Sequence, residues 1–157
     1  MADSSASPAL ELFLEKWHRQ LRGELPGGLD ELLADDVVFR SPIVYTPQQG
    51  KDITKMYLMA AGGTLGGEGA DEVDLDEPGD ADEWDGRFRY VRTIREGNDV
   101  LLEFETTIEG KYANGIDLIT VDDHARIVSF TVMIRPLQAV NAIHTQMQAA
   151  LEQLNAR

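Results

Sequence analysis

Between Gly115 and Leu137 the chain reads GIDLITVDDHARIVSFTVMIRPL, and no other stretch limits the possible folds as much. Val, Ile, Thr and Phe dominate on both sides of Asp122-Asp123-His124-Ala125, the pattern of two long antiparallel strands joined by a tight acidic turn. Asp117 breaks that pattern, sitting inside the first strand among Ile116, Leu118, Ile119 and Val121. Strands disfavour Asp, and a buried carboxylate must find partners or shift its pKa. Three placements meet the constraint: a sheet edge, neutralisation by a cation such as Arg135, or a functional site.

The rest of the chain supplies elements to pack against those strands. From Ala9 to about Arg22, Leu10, Phe13, Leu14, Trp17 and Leu21 recur at helical steps and predict an amphipathic helix, ended by Gly23 and Pro26-Gly27-Gly28. A short helical turn is expected at Leu29 to Ala34, then a strand in VVFRSP broken at Pro42. Ile53, Met56, Tyr57 and Ala60 predict a further helix over Lys51 to Ala61. Arg87 to Arg95 and Val100 to Ile108 read as a hairpin across Glu96-Gly97-Asn98-Asp99, with Val100, Leu102, Phe104, Thr106 and Ile108 on one face. Glu103 and Glu105 take the other face, which is expected to meet water, a subunit or basic residues such as Arg89 and Arg92 across the hairpin. A further turn is expected around Lys111 to Asn114. Pro136 opens a last helix over residues 136–156 whose stripe Leu137, Val140, His144, Met147, Leu151 and Leu154 reads as a core or dimer seam, with His144 packed in it. Residues 1–8 read as a disordered leader and 9–157 as a single domain.

Charge and residue usage narrow the function. With 28 acidic against 14 basic residues the net charge is −14, which repels phosphate backbones and anionic lipid, so neither nucleic acid nor a membrane is expected as a partner. Ten of the eighteen residues from Glu68 to Asp85 are acidic, but without the register of a calcium-binding loop they read as a solvated acidic loop spanning 62–86. There is no cysteine, which removes disulfides and zinc-thiolate sites and points to a cytoplasmic protein. His18 and His124 do not cluster with acids at ligand spacing, so no metal and no cofactor are expected.

Helices followed by hairpin-connected strands predict an α+β architecture. The block LLADDVVFRSP after an amphipathic helix, with GIDLITVDDHARIVSFTVMIRPL near the end, resembles the NTF2-like superfamily, in particular its SnoaL-like branch and the ketosteroid isomerases. The resemblance covers roughly residues 9 to 137. It implies a cone-shaped, curved antiparallel sheet wrapped around the N-terminal helices, an α+β barrel, with an extra C-terminal helix. That scaffold hosts isomerases, epoxide hydrolases, cyclases, dehydratases and non-catalytic binding proteins. GID here resembles the PID segment of ketosteroid isomerases, which puts Asp117 where that family keeps a protonated carboxylic acid as an oxyanion donor. Trp17 then falls where the family has its oxyanion tyrosine and Ser41 where it has its general-base Asp. A Ser hydroxyl without an activating base abstracts an α-proton poorly, so classical steroid isomerisation is not expected. SnoaL-like cyclases, which rely mainly on one acid–base Asp, match better.

On these grounds Asp117 is the candidate catalytic residue. Phe39, Leu102, Phe104, Phe130 and Val132 would line an apolar cavity in which Trp17, Ser41 and Tyr57 are the polar marks, the make-up of a site for a hydrophobic small molecule. Two readings stay open: an enzyme acting on an oxygenated apolar substrate through Asp117 as acid/base or oxyanion donor, and a non-catalytic ligand-binding or interaction module. Either is expected to be a homodimer through the outer sheet face, where the superfamily commonly pairs and where Val91, Thr93, Leu101 and Ile127 lack a role in the core.

Overall fold

A computed structural model of the chain describes residues 6–61 and 84–155. Most of the expected acidic loop lies outside the described residues. The chain begins with helix α1 (Pro8–Leu21), set by Ser7, whose Oγ accepts from the Leu10 N–H at 3.1 Å, and by proline at its first position. Residues 6–8, expected in the disordered leader, are instead part of the fold: Ala6 bridges to Gly97, and the Ser7 N–H donates to the Gly97 carbonyl at 2.8 Å. After α1 come α2 (Leu29–Leu32), β1 (Leu33–Arg40), the two-residue strand β2 (Gln48–Gln49), α3 (Lys51–Ala61), β3 (Arg89–Glu96), β4 (Asp99–Ile108), β5 (Lys111–Val121), β6 (Ile127–Arg135) and α4 (Leu137–Asn155).

The strands form one curved sheet in the order β2-β1-β6-β5-β4-β3, an α+β arrangement with helices on its concave side. The sheet is antiparallel except where β1 joins β6 in parallel. Among the described residues it does not close, and β2 and β3 stand at the two ends of the strand order. Lys111 to Asn114, expected in a turn, lie within β5, because Glu109 (φ 52°) and Gly110 (φ 75°) make the hairpin turn in two residues and Ile108 pairs directly with Lys111. None of the helices among the described residues is long and apolar enough to cross a membrane.

The inner face forms the core. Leu10, Phe13, Leu14 and Trp17 of α1 are buried together with Val37 and Phe39 of β1, Val100, Leu102, Phe104 and Ile108 of β4, and Phe130 of β6. Helix α4 packs on α3 and on β4, β5 and β6. It does so through Ala139, Ala142 and Ile143 together with Met147 of the expected stripe, with Leu151 packed beside them, while Leu137 is 72% exposed and His144, expected to be packed, is exposed as well. Small side chains let the helix approach the sheet closely, and its contact face is rotated so that Leu137 and His144 turn to solvent.

Two bulges set which side chains face inward. Between Tyr90 and Arg92 the β3/β4 register shifts by one, so Tyr90 opposes Phe104 and Thr93 opposes Leu102, both on the inner face. On β6 the shift falls at Val128, so Ile127 opposes Val121 while Phe130 opposes Ile119, and both turn inward. Two of the four residues assigned to an outer dimer face are thereby corrected: Ile127 is fully buried and Thr93 faces the core. On the outer face Glu103 pairs with Arg92 at 3.3 Å and Glu105 with Arg89 at 2.7 Å, the last of the three alternatives open for that face.

Gly115 marks the tightest contact of the sheet. A Cβ there would lie 2.5 Å from the Phe104 ring and 2.6 Å from the Met133 carbonyl oxygen, so Phe104 occupies the space a side chain would need. Gly115→Ala is expected to lower stability by about 1–3 kcal/mol, read from the midpoint of urea unfolding, because the backbone oxygen cannot move aside as a flexible side chain could.

Candidate active site

β5 is an interior strand, bonded to β4 on one side and β6 on the other. Asp117 lies in its middle, opposite Leu102 and Val132, and is only 7% exposed, so it does not sit at a sheet edge. The register separates it from Arg135 as well. Arg135 opposes Asn114 and donates from Nη1 to its Oδ1 at 3.2 Å. Asn114 and Asp117 are three residues apart, so their side chains leave opposite faces of the strand. What remains is a carboxyl on the inner face held by a neutral partner.

That partner is Tyr90 of β3. Its hydroxyl donates to Asp117 Oδ2 at 2.8 Å and accepts from the indole Nε1–H of Trp17, on α1, at 3.3 Å. Burial pushes the Asp117 carboxyl up from an ordinary 3.8 to about 7, and the Tyr90 hydrogen bond, which favours the carboxylate, opposes that rise. Burial, and then the neighbouring Asp117, hold the Tyr90 phenol well above its usual range. The phenol therefore stays protonated and remains a donor at any physiological pH.

Aromatic rings surround this chain of hydrogen bonds. Trp17 lies 5.8 Å from Phe13 and 5.8 Å from Phe130, centroid to centroid, and Phe130 in turn meets Phe39 at 5.8 Å. Tyr57 of α3 continues the arc, 5.4 Å from Phe39. On the other flank Phe88 packs on both Tyr90 and Phe104 at 5.1 Å. Most of the residues expected around Asp117 thus share the inner face: Leu102 and Val132 oppose it directly, Phe104 and Phe130 sit one pleat away, and Trp17 reaches it through Tyr90. Ser41 is different. It follows the end of β1, where its Oγ accepts from the Ile43 N–H at 3.0 Å and closes a turn.

Tyr90 does not stand out in the sequence, because Arg87 to Arg95 alternates only loosely and Arg89 and Arg92, both candidates to oppose the β4 glutamates, have opposite parity. A signal was present: Arg87, Arg89 and Arg92 are spaced by two and then by three, which betrays a change of phase between positions 89 and 92. A tyrosine just before such a break is placed to turn inward.

No protein-family model matches the chain, and no curated protein matches it. Solved structures do. A steroid delta-isomerase from Pseudomonas aeruginosa is 27% identical, with a TM-score of 0.79 over 99% of this chain and 100% of that one. An uncharacterised bacterial protein with a cystatin-like fold from Silicibacter pomeroyi DSS-3 is also 27% identical, with a TM-score of 0.65 over 90% of this chain and 84% of that one. An NTF2-like protein of unknown function from Mesorhizobium loti, 16% identical, has a TM-score of 0.58 over 84% of this chain and 99% of that one.

The raised carboxyl has a consequence for stability. A group whose pKa is higher in the folded state contributes stability in full below its unfolded value, here about 4, and loses it as pH rises through the folded value near 7. The difference amounts to roughly 4 kcal/mol. Asp117→Asn keeps an acceptor for Tyr90 but never ionises. It is expected to be the more stable protein in urea unfolding at pH 8, with the gap closing as pH falls to 4.

Proposed function

We propose that this chain, which has the NTF2-like, ketosteroid-isomerase-like fold, is an acid–base enzyme that shifts a proton on a largely apolar, oxygenated small molecule, with Asp117 as the group that takes the proton and returns it. The observation that carries this reading is a single carboxyl on an apolar inner face, bonded to Tyr90 and raised to about 7. At that value the acid and base forms coexist near neutral pH, where a proton shuttle is most efficient. An ordinary carboxylate would be a weaker base and hardly ever an acid. The steroid delta-isomerase of Pseudomonas aeruginosa, similar over nearly the whole chain, supports an isomerisation in particular.

The proposed chemistry follows from what the site offers. Asp117 as carboxylate removes a proton from the carbon between a carbonyl and a double bond, giving a dienolate. The resulting carboxylic acid then delivers that proton to the far carbon, and the double bond moves into conjugation with the carbonyl. Both steps fall to Asp117, because the Ser41 hydroxyl is engaged with Ile43 and, among the described residues, has no activating base. The shift is redox-neutral and uses no cofactor. Aromatic and aliphatic walls from Trp17, Phe39, Tyr57, Leu102, Phe104, Phe130 and Val132 would bind the hydrocarbon part of the substrate.

We also infer a homodimer through the outer sheet face. Ile94, Leu101 and Leu118 oppose one another in a row across β3, β4 and β5, and Ile116 and Met133 continue the apolar surface onto β6. Ile94 and Met133 are each 52% exposed, more than large apolar side chains in a strand interior usually are.

Two outcomes test these readings. The purified protein is expected to convert 3-cyclohexenone to its conjugated isomer, followed by ultraviolet absorbance, with Asp117→Asn lowering kcat/KM by about 10²–10⁴. An Asn variant as active as the parent would sink the acid–base role, and a parent protein that binds such ketones without turning them over would favour a non-catalytic module. In sedimentation velocity a dimer is expected for the parent and a monomer for Leu118→Arg; a parent that sediments as a monomer at micromolar concentration refutes the interface.

A further inference from the structure

The hydrogen bonds at Asp117 have a direction that their donors dictate. Indole Nε1 carries one hydrogen and no acceptor lone pair, so in the Trp17–Tyr90 contact of 3.3 Å the Tyr90 oxygen must accept. A phenol has a single hydrogen. With its oxygen turned to receive the indole N–H, that hydrogen points to Asp117 Oδ2, 2.8 Å away. With Oδ2 accepting the phenol hydrogen, the proton of the acid form resides on Oδ1. Among the described residues Oδ1 takes no hydrogen bond.

We propose that Trp17 and Tyr90 form a one-way hydrogen-bond chain that fixes Oδ2 of Asp117 as an acceptor and leaves Oδ1 as the single oxygen through which this carboxyl exchanges protons with a substrate. Tyr90 is then a positioning residue: its own proton is committed to Asp117 and it donates nothing to the ligand. Trp17, likewise committed, cannot serve as the oxyanion donor that its place in the chain suggested. The inference rests on the acid–base reading of Asp117, and it adds which atom acts and what holds that atom in place. It also predicts that proton removal and proton return occur on one face of the substrate, because one oxygen carries out both steps.

The groups facing Asp117 make the chain testable by titration. From β4 and β6 its direct neighbours are the uncharged Leu102 and Val132, and α4 presents Ala139, Ala142 and Ile143 to the core. α1 brings Trp17, and Arg95, on the inner side of β3 opposite Val100, lies 3.6 Å from Glu11 of α1. The influences on the Asp117 carboxyl are burial and the Tyr90 hydrogen bond, which pulls its titration down. Deleting the phenol hydroxyl should therefore raise the midpoint. Deleting the indole N–H should raise it less, since it acts only by polarising Tyr90.

The experiment is a pH titration of the Asp117 side-chain carboxyl by ¹³C NMR in aspartate-labelled protein, assigned by its absence in Asp117→Asn. Tyr90→Phe is expected to move the midpoint upward by about one pH unit or more. Trp17→Phe is expected to give a smaller upward shift, and the double variant should titrate with Tyr90→Phe alone, because an indole can no longer act once the link is gone. An unchanged midpoint in Tyr90→Phe overturns the proposal, as does a double variant in which the two shifts add. Because the readout does not depend on turnover, a failure of the chain and a failure of the enzymatic reading are separable. If Asp117→Asn leaves 3-cyclohexenone turnover intact while the midpoints move as expected, the chain stands and the catalytic role falls.

Discussion

One hydrogen bond decides how this sheet can hold an acid in its centre. Asp117 is enclosed by apolar side chains from neighbouring strands and by helices above them, a setting in which an ionised carboxyl would lose several kcal/mol of hydration. The phenol of Tyr90 offers partial compensation without introducing a charge. A cation would have compensated more fully, but it would have fixed the carboxylate as a permanent anion. The neutral donor leaves the group balanced between its two forms. The placement of Trp17, the inward turn of β3 and the ring of aromatics around them all serve that one contact.

The order of elements was legible from periodicity alone: α1, α3, the hairpin of β3 and β4 and the pair β5 and β6 fall where apolar spacing puts them. What periodicity could not give was phase. A strand with a bulge carries two inward-facing sets of opposite parity, as Tyr90 with Thr93 and Ile127 with Phe130 do. Pattern reading assigns one parity per strand and so misplaces one member of each pair. A similar limit applies to α4, whose long apolar stripe looked like its packing face. The contact face takes Ala139, Ala142 and Ile143 along with Met147 and Leu151 of that stripe, and leaves its Leu137 and His144 outside.

The candidate site divides along the same line. Asp117 stood out because a carboxylate in an apolar strand is costly wherever it lies, and Trp17 because it lies on the apolar stripe of α1. Tyr90 was invisible because its role is a matter of geometry between strands rather than of its own neighbours in sequence. Arg135 illustrates the converse: its charge made it an attractive partner for Asp117, but a separation of three along β5 between Asp117 and Asn114, its true partner, sends it to the other face. Side-chain chemistry proposes pairs, and register decides among them.

The bulge at Val91 does more than turn Tyr90 inward. An unbroken strand would set residues 89 and 91 against Glu105 and Glu103; the extra residue brings Arg92 into the second place instead, so that two arginines of opposite parity share one face. Both outward carboxylates of β4 are thereby met by a cation. The irregularity that delivers a phenol to the interior also balances two negative charges on the exterior of a strongly acidic chain.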